Sequence, residues 1–300
     1  MGRVVIRTVV TGFGYWGKII TSRLLEHPHY FVSGVHDPSL AERETARRVA
    51  NLHTYRTLED AINREMPDLV CVCTPIAATP SASAYASTRY AHVLAAKPGA
   101  TSVDTAQRML RAADAKHVRL VVDYTLTAAP RWLQIKQLVP SLGEVRRIDA
   151  VRTTPARRAS SDVLDDLVVH DLSLLVDLDE DAQWRVVSSV GDAGERSMVL
   201  EAGGVEAYVS AERRGAGVER EFRIIGSKGA LTWDQATDSL VCTTDSGMVT
   251  PHREAIDAVT ARLWMLSRVL CGEAPDNRRV FLEVTRLVED AREGGIGVAA

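Results

Sequence analysis

The sequence predicts an α/β protein in which a doubly wound parallel sheet is followed by an α+β domain with a mostly antiparallel open sheet. From residue 3 to about residue 123, short apolar runs alternate with segments of helical period. The first run leads directly into a glycine-rich turn that opens a helix. Later in the chain, four or five strand-like stretches are separated by glycine-bearing turns. We therefore expect a nucleotide-binding Rossmann domain over residues 1–123 and a substrate-binding and oligomerisation domain over residues 124–300.

The composition is that of a soluble globular protein of 300 residues, with a hydrophobic fraction of 46% and a charged fraction of 25%. The formal net charge of −3 argues against a general nucleic-acid or membrane-surface binder. No stretch approaches the roughly twenty apolar residues of a spanning helix. Cys71 and Cys73 alternate within an apolar strand, where we expect small core residues in a reducing compartment. The cytoplasm is therefore the expected location.

The turn after the first apolar run has the spacing of a dinucleotide-binding loop. Gly12, Gly14 and Gly17 follow a strand and open a helix. In such a loop the first glycine permits the tight turn, the second lets the backbone approach the phosphates, and the third lets helix and strand pack closely. The helix N-terminus adds free N–H groups and about half a positive charge. The alternative is a tight turn without a ligand. The predicted cofactor site also includes Phe13, Tyr15 and Trp16.

An acidic residue follows the second apolar run. Tyr30 to Val35 reads as a strand, and Asp37 comes where a carboxylate would hold the adenosine ribose. A carboxylate accepts hydrogen bonds from both ribose hydroxyls and repels a 2′-phosphate. We therefore expect NAD rather than NADP, although Arg43 is close in sequence.

Two further strands end in residues that belong at the ligand-binding edge of a parallel sheet. Thr74 and Pro75 follow the apolar run Leu69 to Cys73, and Lys97 follows His92 to Ala96. The carboxyl ends of parallel strands meet at one edge, where ligands of open α/β sheets bind. Thr74, Pro75 and Lys97 are therefore predicted to lie at the cofactor site.

A polar motif in the second domain is the third of three candidate sites along the chain. Asp166 and His170 are four residues apart on a predicted helix and so share one face. Together with the glycine turn and Lys97-Pro98, this set resembles the glucose–fructose oxidoreductase and inositol dehydrogenase (Gfo/Idh/MocA) family over nearly the whole chain. It is most similar to the sugar-nucleotide 3-dehydrogenases of that family. The chain departs from the family at Ala96, where the family has glutamate, and at Val168, where a small residue is common.

The resemblance implies an NAD(P)-dependent oxidoreductase that moves a hydride between nicotinamide and a hydroxyl or ketone carbon of a sugar, sugar nucleotide or cyclitol. It assigns proton transfer to His170, orientation of the sugar or of the imidazole to Asp166, and a hydrogen bond to the reacting oxygen to Lys97. The residue chemistry agrees, because the hydroxyl proton needs a group that titrates near neutral pH and the oxygen needs a positive partner.

Three further residues are candidates for the substrate site. Tyr124 closes a strand and would either contact substrate or pack in the interior. Arg157 and Arg158 would either grip a diphosphate or carboxylate, which guanidinium groups match bidentately, or lie in an exposed polar loop.

The sequence leaves two alternative functions open. The alternatives to a sugar oxidoreductase are a non-catalytic dinucleotide-sensing protein and a reductase of an imine or enone in which His170 only donates a proton.

A one-layer sheet with helices on one face leaves its second face open. We therefore expect a homodimer or homotetramer built through the sheet between about Arg185 and Thr243, without nucleic-acid or membrane partners.

Overall fold

The computed structural model describes residues 5–155, 162–213, 217–252 and 254–294. The candidate residues Arg157 and Arg158 lie outside these ranges. Two compact units are present: Met1–Thr125 with Val259–Leu282, and Leu126–Ala258 with Glu283–Ala300. The first unit therefore combines the N-terminal part of the chain with a later segment.

The regular elements alternate between strand and helix in the first part of the chain and then become mostly strands. The strands are β1 (Ile6–Thr11), β2 (Tyr30–His36), β3 (His53–Tyr55), β4 (Leu69–Val72), β5 (His92–Ala96), β6 (Leu120–Asp123), β7 (Val145–Thr153), β8 (Arg185–Gly191), β9 (Glu195–Ala202), β10 (Val205–Glu212), β11 (Glu219–Gly226), β12 (Gly229–Asp234), β13 (Ser239–Thr244) and β14 (Gly247–Val249). The α-helices are α1 (Tyr15–Glu26), α2 (Leu40–Ala50), α3 (Leu58–Glu65), α4 (Thr79–Thr88), α5 (Val103–Asp114), α6 (Pro130–Leu138), α7 (Val169–Leu178), α8 (Ala258–Leu270) and α9 (Arg278–Arg292). None of these helices combines the length and the apolar character that a membrane crossing needs.

The first unit contains a six-stranded sheet in the order β3-β2-β1-β4-β5-β6, and every pairing in it is parallel. The chain runs outward from β1 to β3 on one side and then continues from β4 on the other side. The strand order therefore reverses between β1 and β4, which opens a crevice at their carboxyl ends. The predicted doubly wound parallel sheet is confirmed.

The core of this unit explains why its strands read as continuous apolar runs. All four residues of β4 are buried because the sheet is covered on both faces. Leu263, Leu266 and Val269 of α8 pack in the same core. The outer edge of β6 is covered as well, since Asn277 exchanges hydrogen bonds with both backbone groups of Val122.

The second unit contains an eight-stranded sheet in the order β14-β13-β12-β11-β7-β10-β9-β8. The pairing of β7 with β10 is parallel, and the other pairings are antiparallel. Trp132 of α6 packs edge-on against Phe222 of β11 and stacks on Trp233 of β12. The predicted mostly antiparallel sheet is confirmed. The three-residue strands β3 and β14 were not predicted, because three residues are too few to show an alternation of apolar and polar positions.

Candidate active site

Steric contacts explain two of the three glycines in the turn after β1. Gly12 has a φ of +86°, and a Cβ added there would lie 2.5 Å from the Cys73 carbonyl oxygen. A Cβ at Gly17 would lie 1.9 Å from the Gly12 carbonyl oxygen. A Cβ at Gly14 would meet no atom of the described chain within 4 Å. Gly12 and Gly17 therefore let the turn form, whereas the space beside Gly14 is open to a ligand.

The turn delivers the N-terminus of α1 to this open space. Gly14 is the residue before the helix, and a glycine has no side chain with which to cap the N–H groups that follow it. The first turn of α1 also contains no acidic residue. Phe13 is buried, Trp16 is half-buried, and Tyr15 has 63% of its surface exposed. The geometry is that of an anion-binding helix N-terminus and fits a dinucleotide diphosphate.

Asp37 holds the turn from the neighbouring strand. Its Oδ2 accepts a hydrogen bond from the Phe13 N–H at 2.7 Å, and its Oδ1 accepts one from the Ser39 N–H at 2.8 Å. An ionised carboxylate has about four lone-pair positions, so acceptor capacity remains for ribose hydroxyls. Arg43 donates through Nη1 to the carbonyl oxygens of Asp37 and Pro38 at 2.7 and 2.8 Å. A carboxylate and a guanidinium therefore lie side by side where an adenosine ribose would bind.

The loop after β4 adjoins the same turn. The backbone N–H of Cys73 donates to the Thr11 carbonyl at 2.7 Å, and its carbonyl lies beneath Gly12. The hydroxyl of Thr74 is 3.1 Å from that of Thr79 at the start of α4. Pro75 is exposed. The structure therefore brings Thr74 to the turn that contains Gly12.

Lys97 is the first residue after β5 and is half-buried. A charged neighbour not included in the predicted site is Asp123, the last residue of β6. Asp123 is 2% exposed, and its Oδ1 accepts a hydrogen bond from the Thr125 hydroxyl at 2.9 Å. Its signal in the sequence is its place at the end of an apolar strand, the same signal that identified Lys97.

Burial and nearby positive charge have opposite effects on the pKa of Asp123. Burial raises the pKa of this carboxyl above its usual range. The Arg262 guanidinium, hydrogen bonds from Thr125 and Trp16, and the Lys97 ammonium all act to lower that pKa. The Nε of Arg262 is 3.6 Å from Oδ1 of Asp123. Asp123 is thus a buried carboxylate at the ligand-binding edge of the sheet with two cations near it.

Tyr124 lies in the interior of the first unit. It has no exposed surface, and its hydroxyl donates to the Pro98 carbonyl at 3.5 Å. Burial raises the pKa of its hydroxyl. Of the two alternatives for this residue, the geometry favours packing: Tyr124 contacts the loop that follows Lys97.

In the second unit, Asp166 and His170 lie on a helical segment that begins irregularly. Residues Leu164–Val168 form a π-helical turn, in which the Val169 N–H donates back to the Leu164 carbonyl. Such turns are frequent at functional sites. Oδ2 of Asp166 accepts a hydrogen bond from Nη2 of Arg213 at 2.7 Å. His170 is half-buried in the first turn of α7.

A buried ion pair anchors the helix that carries His170. Asp171 is 1% exposed and accepts two hydrogen bonds from Arg152 of β7, at 2.9 and 2.6 Å. Arg152 also donates to Oε1 of Gln235 at 2.8 Å. This bidentate pair fixes α7 against β7 and thereby sets the position of the neighbouring His170. Asp171 therefore has a structural role.

Within the first unit, the structure brings all ten predicted cofactor residues to the carboxyl edge of the parallel sheet. Asp166 and His170 belong to the second unit. The residues found at the edge are Gly12, Phe13, Gly14, Tyr15, Trp16, Gly17, Asp37, Thr74, Pro75 and Lys97.

Comparison with known proteins agrees with this geometry. Residues 6–124 match the Gfo/Idh/MocA oxidoreductase family, which is described by its NAD-binding Rossmann fold. Over this segment the chain is therefore similar to that oxidoreductase family. The resemblance that the motifs predicted is confirmed. No curated protein matches the chain.

Solved structures of similar fold extend the likeness to both units. UDP-N-acetylglucosamine 3-dehydrogenase from Acidithiobacillus ferrooxidans is 20% identical with a TM-score of 0.87, and the match covers 98% of each chain. KijD10, a 3-ketoreductase from Actinomadura kijaniata in complex with NADP and TDP-benzene, is 17% identical with a TM-score of 0.88 and coverages of 97% and 98%. GenD2 from gentamicin A biosynthesis, in complex with NAD, is 19% identical with a TM-score of 0.84 and coverages of 99% and 95%. At these identities the likeness establishes the fold.

Proposed function

We propose that this protein transfers a hydride between a nicotinamide cofactor and a hydroxyl or keto carbon of a sugar, sugar nucleotide or cyclitol. The observation that carries the proposal is the position of Lys97. It follows β5 at the carboxyl edge of the parallel sheet that also carries the glycine turn and Asp37. A lysine there supplies positive charge beside the place where the turn and Asp37 would hold a dinucleotide.

The cofactor would be held by the chain's own backbone and one carboxylate. The N–H groups at the start of α1 would bind the diphosphate, and Asp37 would accept hydrogen bonds from the adenosine ribose. When bound, the nicotinamide ring accepts or supplies the hydride. We propose NAD as the preferred cofactor because Asp37 places negative charge where NADP carries its 2′-phosphate. KijD10 was solved with NADP and GenD2 with NAD, so nucleotides of both kinds occur with this fold.

The proton chemistry is assigned to residues of both units. Oxidation of a carbinol requires that its hydroxyl proton leaves as the hydride does. His170 would take and return that proton, because an imidazole titrates near neutral pH. Lys97 would stabilise the negative charge that develops on the oxygen. Asp166, which accepts a hydrogen bond from Arg213, would orient the sugar or the imidazole.

The substrate class follows from the relatives and from the sequence. One similar protein is a 3-dehydrogenase of UDP-N-acetylglucosamine, and another is a 3-ketoreductase solved with a TDP derivative. We propose a sugar nucleotide as the first class to test, with reaction at a secondary hydroxyl or ketone. Arg157 and Arg158 are the candidates for its diphosphate, since guanidinium groups bind phosphate bidentately.

The test is a substrate screen that uses the absorbance band of reduced nicotinamide. UDP- and TDP-sugars, free sugars and cyclitols are each added with NAD⁺, and the corresponding keto compounds with NADH. Turnover of at least one compound by the native chain, and its loss in Lys97→Ala, is the expected result. Gly14→Ala is the matched control for the cofactor. Its Cβ would meet no atom of the described residues within 4 Å, so the variant should fold normally and bind NADH more weakly.

The same screen separates the rival functions. NADH binding without turnover of any compound would contradict the proposal and favour a dinucleotide-sensing protein. Turnover of imines or enones but of no carbinol or ketone would favour the alternative reductase.

A further inference from the structure

We propose that Asp123 is a positioning residue for Lys97, a buried carboxylate on the neighbouring strand that serves as the counter-ion of the lysine and fixes its ammonium at the sheet edge. The inference rests on the role proposed above for Lys97 and adds the residue through which that role is maintained.

The register of the sheet places Asp123 beside Ala96, the residue that directly precedes Lys97. Ala96, the last residue of β5, pairs with Asp123, the last residue of β6. Paired residues of adjacent parallel strands point to the same face, and such strands lie about 4.8 Å apart. Ala96 offers only a methyl group on this face. The carboxylate next to the end of β5 is therefore that of Asp123 on β6.

The hydrogen bonds of Asp123 leave part of its charge to be balanced by other groups. Oδ1 accepts a hydrogen bond from the Thr125 hydroxyl, and the carboxyl also accepts one from the Trp16 side chain. Both donors are neutral, so these bonds do not cancel the negative charge. Arg262 is 3.6 Å away through Nε and uses Nη2 to donate to the Val122 carbonyl at 2.5 Å. A carboxylate that is 2% exposed requires compensating charge, because burial without it is costly. Lys97 supplies a second positive charge besides Arg262.

The charged and titratable groups around Asp123 come from three neighbouring elements. Lys97 follows β5, Arg262 lies on α8, and Cys71 and Cys73 lie on or just after β4. Burial raises the pKa of both thiols, and Asp123 raises each pKa further. Lys97 and Arg262 both act to lower the pKa of Asp123. Since a Coulomb interaction is mutual, the same carboxylate favours the charged form of Lys97.

The experiment measures the titration of Lys97 directly and needs no substrate. The chain has five lysines, so reductive methylation with ¹³C-formaldehyde yields few signals, and Lys97→Arg identifies the one from residue 97. In Asp123→Asn, we expect the pKa of the Lys97 dimethylammonium to fall by about one unit or more, because a near opposite charge is lost. The matched control is Asp104→Asn on α5, whose side chain pairs with exposed Arg108. It should leave the Lys97 titration unchanged.

Asp123→Asn would leave Arg262 as a buried charge without its partner, and this variant could fail to fold. A second pair of variants avoids that problem. Arg262→Gln and Arg262→Gln/Asp123→Asn differ only in the carboxylate, and neither contains the buried arginine at position 262. The Lys97 pKa should again be lower in the variant without the carboxylate. Adding Ala96→Glu to Asp123→Asn returns a carboxylate to the same register position and should raise the pKa again.

An unchanged Lys97 titration in folded Asp123→Asn, or in the Arg262→Gln pair, would overturn the proposal. Failure of the proposed function has a different signature. In that case the Lys97 titration shifts as expected, while Lys97→Ala retains full turnover of an authentic substrate.

Discussion

Single residues of the glycine turn have separable roles. Gly12 and Gly17 are required because a side chain at either would collide with backbone carbonyl oxygens. Gly14 faces open space, so its lack of a side chain matters only when a ligand approaches. Phe13 contributes its backbone N–H to Asp37, which ties the turn to β2. The candidate cofactor site is thus built mainly from backbone groups.

The first residue-level prediction concerns proton transfer. His170→Ala should lower turnover by roughly 10²–10⁴-fold, the usual contribution of a general acid–base group, and leave NADH affinity nearly unchanged. Lys97→Ala should act similarly. The double variant should lose less than the product of the two effects, because the proposal has both side chains act on one oxygen. Steady-state kinetics and NADH titration provide the measurements, with exposed His117→Ala as the control. Full turnover in His170→Ala would remove this residue from the mechanism.

The second residue-level prediction concerns cofactor choice. The native chain should bind NAD(H) more tightly than NADP(H), because the Asp37 carboxylate repels a 2′-phosphate. In Asp37→Asn this preference should shrink, since the negative charge is lost while Arg43 remains beside the loop. Calorimetric titration with all four nucleotides measures the change, and Glu44→Gln on the exposed side of α2 serves as the charge control. Tighter NADP(H) binding by the native chain would contradict the assignment.

At the level of elements, the position of His170 depends on how its helix is attached. The π-helical turn Leu164–Val168 leads into α7, and the Arg152–Asp171 pair fastens α7 to β7. Both partners are almost fully buried, so each charge depends on the other for compensation. The candidate residue His170 is therefore held in place by Asp171, the next residue in the sequence.

This attachment has a measurable energetic consequence. Asp171→Ala should lower the free energy of unfolding by about 3–5 kcal/mol, because it leaves Arg152 buried without its partner. The matched control is Asp149→Ala, which removes a pair with half-exposed Arg147 and should cost at most about 1 kcal/mol. Urea unfolding of both variants provides the comparison. Equal losses in the two variants would show that the buried pair does not anchor α7.

At the scale of the whole molecule, the second sheet presents a face that its own helices leave open. Along β9 and β10 the buried residues alternate with half-exposed ones, so one face packs inward and the other points away. The outward face includes Val199 and Tyr208, and the Arg147 guanidinium lies over the Tyr208 ring. A broad sheet face of this kind is a candidate surface for packing against a second copy.

We therefore expect a homodimer or homotetramer that forms through this sheet. Light scattering at micromolar concentration should give at least twice the chain mass of 32.8 kDa. Val199→Asp, which places a charge in the middle of the outward face, should lower the mass toward that of one chain. Met248→Asp on the exposed strand β14 is the control and should leave the mass unchanged. A monomeric native chain would contradict the expected assembly.

The sequence by itself determined the features that depend on local sterics and periodicity. The alternation of apolar strands with helices specified the parallel sheet, because each covered strand must be apolar on both faces. The spacing of Gly12, Gly14 and Gly17 identified the nucleotide turn, because a side chain at Gly12 or Gly17 would collide with a backbone carbonyl and one at Gly14 would fill the space open to a ligand. Lys97 directly follows an apolar run, and this position predicted that it lies at the carboxyl edge of the sheet, where ligands bind.

The tertiary structure decided everything that depends on register and on contacts between distant segments. It placed Asp123 beside Ala96, brought Arg262 from α8 to the same carboxylate, and paired Asp171 with Arg152. It also buried Tyr124, for which the sequence left packing and substrate contact open. None of these pairings has a local signature, because side chains far apart in sequence become neighbours only when strand register and helix packing are set by the whole core.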